Sequence, residues 1–202
     1  MLALLEVATA LLWFSGCVLS RSVDVSLSCN SPLGLESGKI QDSQLSASSA
    51  YDINSVGPTR ARLNSDSAGG AWCPRSFISQ ESGLQEFLEV DLLQEHTVTG
   101  IITQGRFANG QGQEYAEHFK LQYWADGIES FMEYQNKKGL SVFPANKDTF
   151  TEVVTKVEPP IRATKIRIIP FSYHPRTVCM RVELLGCSTL VPGKISFYSD
   201  IY

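Results

Sequence analysis

The sequence predicts an all-β fold, either a sandwich or a barrel, formed by one domain. Apolar side chains recur at every second residue in several short segments, Gly, Pro, Asn and Ser separate these segments, and no stretch of ten residues carries a helical stripe. The chain has 202 residues, 43% of them hydrophobic and 19% charged, which suffices for one domain with its own core. A net charge of −4 gives no electrostatic reason to expect a nucleic-acid partner.

The clearest predicted strand is residues 86–92, in which apolar and acidic residues alternate. We interpret Glu86 and Glu89 as part of its solvated face, because ionised carboxylates are rarely buried. Residues 41–71 and 106–115 are polar, with glycines in the second segment, and are predicted as binding loops on a rigid scaffold. The other predicted strands are residues 97–103, 118–123, 149–157, 164–168 and 180–184.

The first 20 residues carry a single charge, Glu6, and are otherwise mostly apolar or small. This pattern predicts a cleaved secretory signal peptide that ends before Arg21, followed by a lead-in over residues 21–28. No Lys or Arg precedes the apolar run, so a membrane anchor and a buried segment remain as alternatives. A signal peptide would place the protein in the secretory pathway and outside the cell.

Four cysteines remain once the predicted signal peptide is removed. An even number in an oxidising compartment favours two disulfides, with three pairings open. A zinc site is disfavoured, because the sequence has no C-x2-C pair and its three histidines are scattered, so we expect no metal. The four are Cys29, Cys73, Cys179 and Cys187.

A search for catalytic motifs predicts that this chain is not an enzyme. The sequence has no H-E-x-x-H, no G-x-S-x-G and no P-loop, and the Gly110–Gly112 pair lacks the third glycine of a dinucleotide site. We therefore expect no catalytic residue and no cofactor. Arg106 and Glu114 flank one Gly-rich loop and can pair across it, which leaves two interpretations, a surface ion pair of about 0 to 1 kcal/mol or a ligand site.

Six motifs lie in order between the first and the last of the four cysteines. They resemble a discoidin domain, the family that includes the C-type domains of coagulation factors, and more narrowly the collagen-binding first domain of the discoidin domain receptor tyrosine kinases. Ala71-Trp72-Cys73-Pro74 and Val178-Cys179-Met180-Arg181 carry the narrower likeness. The motifs span residues 29–40, 61–65, 70–74, 86–92, 103–106 and 178–187.

The resemblance implies a specific fold and a set of binding residues. It implies an eight-stranded antiparallel jelly-roll barrel over residues 29–187, with Cys29 bonded to Cys187 and Cys73 to Cys179. It also implies that loops at one end of the barrel bind triple-helical collagen. The residues that match the family's binding positions are Tyr51, Ser55, Arg106 and Glu114.

The sequence departs from the family at two positions of the implied site. The family has Trp where Tyr51 stands, and it has an acidic residue where Gly69 stands. Tyrosine still presents an aromatic face to an apolar side chain, but with less area than tryptophan.

Residues 188–202 are interpreted as a linker and the start of an incomplete second discoidin-like domain. In the family, that domain precedes a membrane helix and a cytoplasmic tyrosine kinase. The implied function is an extracellular collagen-binding module that mediates cell–matrix adhesion and collagen-triggered signalling in the full-length receptor, with a homodimer formed through parts missing from this chain.

Three alternatives belong to other classes of binding protein. The domain could be a secreted adhesion module, or a lectin that uses the same loops to bind glycans. A module for anionic phospholipid is the least favoured, because residues 41–59 contain few apolar side chains and no Lys or Arg.

Overall fold

A computed structural model describes residues 29–82 and 84–189. The predicted signal peptide, the lead-in and residues 190–202 lie outside the described residues. None of the helices in the described part has both the length and the apolar character needed to cross a membrane. The elements are β1 Ser31–Pro32, β2 Leu45–Ala47, α1 Ile53–Val56, β3 Leu88–Gln104, β4 His118–Trp124, β5 Met132–Glu133, β6 Phe143–Pro144, β7 Val153–Phe171 and β8 Arg181–Ser188, with 3₁₀ turns at Asp42–Gln44, Pro58–Arg60 and Ala108–Gly110.

The eight strands form one antiparallel network, which confirms the predicted fold class. The strand order is β1-β8-β3-β7-β4-β5, with β2 joined to β3 and β6 joined to β4. The long strands β3 and β7 lie at its centre and pair with each other. The core is filled by side chains that are fully or almost fully buried, including Trp72, Phe119, Leu121, Ile166, Ile168, Met180 and Leu184.

Strands β3 and β7 are each longer than the sequence predicts. Two predicted strands merge within β3, and two merge within β7, because register shifts bend the pair without ending it. One shift lies between Asp91 and His96 on β3, close to Leu93, which has a left-handed φ of 61°. The predicted start at Thr149 is wrong, since the Asp148 carboxylate accepts from the Thr151 N–H at 2.7 Å and holds a turn that precedes β7.

The interpretation of Glu86 and Glu89 as a solvated face is wrong. Glu86 is only 8% exposed and accepts hydrogen bonds from the Ser48 and Ser49 hydroxyls, both at 2.6 Å. Burial raises the pKa of Glu86, but the serine hydroxyls outweigh it and the net pKa is lowered. Glu89 accepts from Arg167 Nε at 2.7 Å. The segment that carries Ser48 and Ser49 therefore covers Glu86, and a side chain of the neighbouring strand β7 covers Glu89.

Strand β8 is buried on both faces, although its sequence alternates like a half-exposed strand. Its apolar residues face the core, while Arg181 and Glu183 are 3% and 1% exposed. Arg181 Nε donates to the Gly105 carbonyl at 2.7 Å, and Arg181 Nη2 donates to the Thr149 carbonyl at 2.9 Å. Loops from distant parts of the chain are thus packed on the outer side of β8.

The pairing of β3 with β8 separates the two ends of the domain. Thr97 lies opposite Cys187, and Gln104 lies opposite Arg181. At 3.4 Å per residue, these two pairs are about 24 Å apart along β3. The disulfide of Cys187 is therefore at one end, and the loop that follows Gln104 is at the other.

Candidate binding site at the disulfide-lined loop end

The disulfide between Cys73 and Cys179 links two short extended segments. Backbone bridges pair Trp72 with Met180 and Ile78 with Arg176, so the segments run antiparallel on either side of the disulfide. This arrangement brings residues 74–77 beside residues 177 and 178. Both predicted disulfides, this one and the one that closes the other end of the domain, are confirmed.

The loop that carries Tyr51 is fastened to this disulfide by its backbone. The Tyr51 N–H donates to the Cys73 carbonyl at 2.9 Å, and the Cys73 N–H donates to the Val56 carbonyl at 3.1 Å. A third bond runs from the Gly69 N–H to the Ser55 carbonyl at 2.8 Å. The position of the loop is therefore fixed, while the Tyr51 side chain remains 76% exposed.

Helix α1 begins at Ile53 and is capped by the preceding residue, Asp52, which also engages Ser55. The Asp52 carboxylate accepts from the Ser55 N–H at 2.7 Å and from the Ser55 hydroxyl at 2.8 Å. These hydrogen bonds lower the pKa of Asp52 below its ordinary value. Because the hydroxyl proton of Ser55 is used in the cap, only its oxygen is left to accept a bond from a ligand.

Arg106 and Glu114 form the ion pair that their positions predict. Arg106 Nη1 lies 2.8 Å from Glu114 Oε2, and Arg106 Nε donates to the Gly69 carbonyl at 2.7 Å. Their side chains are 27% and 30% exposed. Burial raises the pKa of Glu114, but the hydrogen bonds from Arg106 and the Gln113 N–H lower it by more. The net pKa is therefore below its ordinary value.

A residue that sequence reasoning missed, Asp66, holds the loop between Arg106 and Glu114. Its carboxylate accepts from the Ala108 N–H at 2.7 Å and from the Asn109 N–H at 2.6 Å. Ala108 and Asn109 have left-handed φ angles of 46° and 53°, which are uncommon for residues other than glycine. Gly70 makes room for the carboxylate, because a Cβ there would lie 2.4 Å from Asp66 Oδ1.

All four predicted binding residues line one cavity of about 610 Å³. Its base is apolar and buried, since Val56, Val178, Cys73 and Cys179 are each 8% exposed or less. Its rim carries the exposed residues. In the described ranges, no group of three or more His, Cys, Asp or Glu side chains is arranged to hold a metal ion. The arrangement suits the binding of an apolar group beside hydrogen-bonding partners.

The family model described as "F5/8 type C domain" matches residues 44–184. The chain belongs to this family. The F5/8 type C domain is a non-catalytic binding module.

This F5/8 type C domain is similar to the receptors that the sequence motifs indicated. It is 40% identical over 197 residues to "Discoidin domain-containing receptor A" of Caenorhabditis elegans, covering 98% of this chain and 25% of that protein. It is 42% identical over 159 residues to "Discoidin domain-containing receptor tyrosine kinase B" of the same organism, covering 79% of this chain and 20% of that protein. The chain thus spans a quarter or less of the length of these relatives.

A solved structure supports the same fold for this F5/8 type C domain. Recombinant discoidin II of Dictyostelium discoideum is similar with a TM-score of 0.58 at 25% identity, covering 72% of this chain and 56% of that chain.

Sequence reasoning missed three further residues of the cavity in this F5/8 type C domain. Arg75 and Phe77 follow Cys73, and Thr177 precedes Cys179; all three line the cavity and are exposed. Phe77 is 67% exposed and adds a second aromatic ring to the rim. The disulfide pairing was the available signal, because it places the residues beside each cysteine together.

Gly69, one of the departures from the family, has no room for a side chain. A Cβ there would lie 2.5 Å from Val56 Cγ1 and 2.7 Å from the Ser55 carbonyl oxygen. In this chain, Gly69 instead contributes its backbone carbonyl, which accepts a hydrogen bond from Arg106 Nε.

Proposed function

We propose that this F5/8 type C domain binds triple-helical collagen outside the cell as the ligand-binding part of a receptor. The supporting observation is the cavity, in which two exposed aromatic side chains, Tyr51 and Phe77, lie above a buried disulfide, with the Arg106–Glu114 pair beside them. The likeness to discoidin domain receptors supports the same assignment. Cell adhesion and collagen-triggered signalling would be properties of the whole receptor.

The chemistry of the cavity matches the surface of a collagen triple helix. Collagen exposes the side chains of its X and Y residues and offers few free backbone groups. An apolar side chain that enters the cavity would gain about 1.5 to 3 kcal/mol from burial. Arg106 uses Nε and Nη1 on protein acceptors, while its Nη2 has no acceptor in residues 29–82 and 84–189 and is available to a collagen carbonyl.

The test compares the full 202-residue chain and two variants for binding to triple-helical peptides in a solid-phase assay. Arg106→Ala and Tyr51→Ala should each lower the affinity at least tenfold, because anchors at the centre of an interface carry most of its energy. The unfolding midpoint should barely move, because a surface ion pair contributes only about 0 to 1 kcal/mol.

Arg162→Ala is the matched control for this test. Arg162 is an exposed arginine that pairs with Glu95 and does not line the cavity, so its loss should leave the affinity unchanged. Heat-denatured collagen, anionic liposomes and glycans serve as alternative ligands. A chain that binds liposomes or glycans but no triple-helical peptide would contradict the proposal.

A further inference from the structure

Four charged side chains line the cavity, and they differ in how their charges are satisfied. Asp52 accepts from Ser55, and Arg106 pairs with Glu114. Within the described ranges, the guanidinium of Arg75 has neither a hydrogen bond nor an ion pair. The cavity therefore contains one cation whose donors are all available to a ligand.

The backbone of Arg75 is held in place although its side chain is not. The Arg75 N–H donates to the Ser49 hydroxyl oxygen at 2.9 Å, and that hydroxyl donates to the buried Glu86 carboxylate at 2.6 Å. Pro74, which is buried and has a fixed φ, and the disulfide-bonded Cys73 precede it. The guanidinium thus starts from a fixed point at the rim and can reach toward a bound ligand.

We propose that Arg75 selects collagen sequences in which an acidic side chain lies within one Gly-X-Y triplet of the apolar side chain that enters the cavity. This inference rests on the proposed collagen binding. The planar guanidinium matches a carboxylate with two parallel hydrogen bonds, which makes arginine well suited to this recognition.

The spacing of the cavity residues agrees with that ligand. The Cα atoms of Arg75 and Phe77 are two residues apart and so at most about 7 Å from each other. One triplet advances about 9 Å along a chain of the triple helix. The long arginine side chain covers the difference, so one ligand chain can place an apolar group at the aromatic rim and a carboxylate at Arg75.

The charges of the cavity favour a single carboxylate over an anionic surface. Its two arginines are balanced by the carboxylates of Asp52 and Glu114, so the cavity carries no net charge. A phospholipid surface, which is attracted by clustered cations, gains little there. A lone acidic group gains a direct contact with Arg75 without needing a net field.

The experiment uses three triple-helical peptides that differ only at one X position beside an apolar residue, which holds Glu, Gln or Lys. Wild-type chain should bind the Glu peptide about three- to fivefold more tightly than the Gln peptide, the size of one exposed ion pair, and the Lys peptide least. Arg75→Ala should bring the three affinities together, and Arg75→Glu should reverse their order.

The controls separate this inference from the proposed function. Arg60→Ala removes a nearby arginine that does not line the cavity and donates to the Asn54 carbonyl, so it should keep the wild-type order. Arg106→Ala should weaken the binding of all three peptides. If Arg75→Ala keeps the wild-type order, the selectivity inference is overturned while collagen binding stands. If the wild type binds none of the peptides, the proposed function is overturned as well.

Discussion

Two carboxylates of this domain, Glu183 on β8 and Glu114 at the cavity, are satisfied in opposite ways. Glu183 is 1% exposed and accepts from four backbone N–H groups, those of Gly34, Leu35, Glu36 and Leu184, at 2.9 to 3.1 Å. The side chain of Glu114 is 30% exposed, and it pairs with Arg106, whose side chain is also partly exposed to solvent. The enclosed charge organises the fold, and the open charge leaves hydrogen-bonding capacity for a ligand.

Removing the enclosed carboxylate should have the largest effect. Glu183→Ala leaves four buried or partly buried N–H groups without their acceptor, and at about 1 to 3 kcal/mol each the loss of unfolding free energy should be at least about 4 kcal/mol. Urea denaturation under non-reducing conditions measures it. Glu158→Ala is the control, because Glu158 is exposed and pairs with Lys137 only at 3.8 Å. A loss no larger than that of the control would show that Glu183 does not organise the fold.

The second prediction compares two exposed phenylalanines. Phe77 and Phe150 are 67% and 60% exposed, but only Phe77 lines the cavity. Phe77→Ala should weaken collagen binding about tenfold, because aromatic residues at the centre of an interface dominate its energy. Phe150→Ala should change it less than twofold. Surface plasmon resonance on a triple-helical peptide measures both, and equal effects would place the binding surface elsewhere.

The third prediction concerns Asp66, which acts on the cavity through the loop that follows Arg106. Asp66→Ala should lower collagen affinity about fivefold and speed hydrogen exchange of the Ala108 and Asn109 amides, because loss of preorganisation weakens binding. Asp66→Asn, which keeps a carbonyl acceptor, should restore part of the affinity and part of the protection of these amides from exchange.

A double-mutant cycle tests whether the effect passes through Arg106. In an Arg106→Ala background, Asp66→Ala should lower the affinity no further. Additive losses, or faster exchange with unchanged affinity, would refute a positioning role for Asp66.

The smallest effect is expected from pH. The pKa of Glu114 is below its ordinary value of 4.5, so the contribution of its charged form is complete above that value and is lost as the pH falls through the lowered pKa. Collagen affinity should therefore change less than about twofold between pH 7 and pH 5 and decline only below about pH 4.5. Binding measured across this range in wild type and Glu114→Gln checks it, and the variant should lack the acidic decline. A decline already at pH 6 would show that a group other than Glu114 controls the affinity.

The burial of the apolar strand residues was predictable from sequence, whereas the burial of the charged residues on the same strands was not. Leu88, Val90 and Leu92 are all buried, as their alternation predicts. The interpretation of Glu86 as solvated was wrong, and the half-exposed pattern of β8 gave no sign that Glu183 is buried, because the groups that cover these two carboxylates come from other parts of the chain. Gly34, which donates to Glu183, is 149 residues away in sequence. Local periodicity contains no information about such a partner.

The candidate site likewise combines contacts that local sequence predicts with contacts that it does not. Arg106 and Glu114 lie at the two ends of one short Gly-rich loop, so their pairing follows from local sequence. Arg75 and Phe77 are brought to the cavity by the disulfide that joins Cys73 to Cys179, 106 residues apart. Asp66 acts on the loop after Arg106 through hydrogen bonds across 42 and 43 residues. These contacts depend on the completed fold, which is why sequence patterns did not indicate them.

The disulfide at the far end of the domain has a mechanical consequence. The chain enters at Cys29 and leaves at Cys187, where the bonded cysteines have Cα atoms 4.9 Å apart. A pull on the two flanking segments would be carried by this covalent bond, and the hydrogen-bonded ladder behind it would bear no load. A pull between a ligand in the cavity and that disulfide would instead run along the backbone of β8, which connects Cys179 in the cavity to Cys187, and the hydrogen bonds to β3 would brace it along its length.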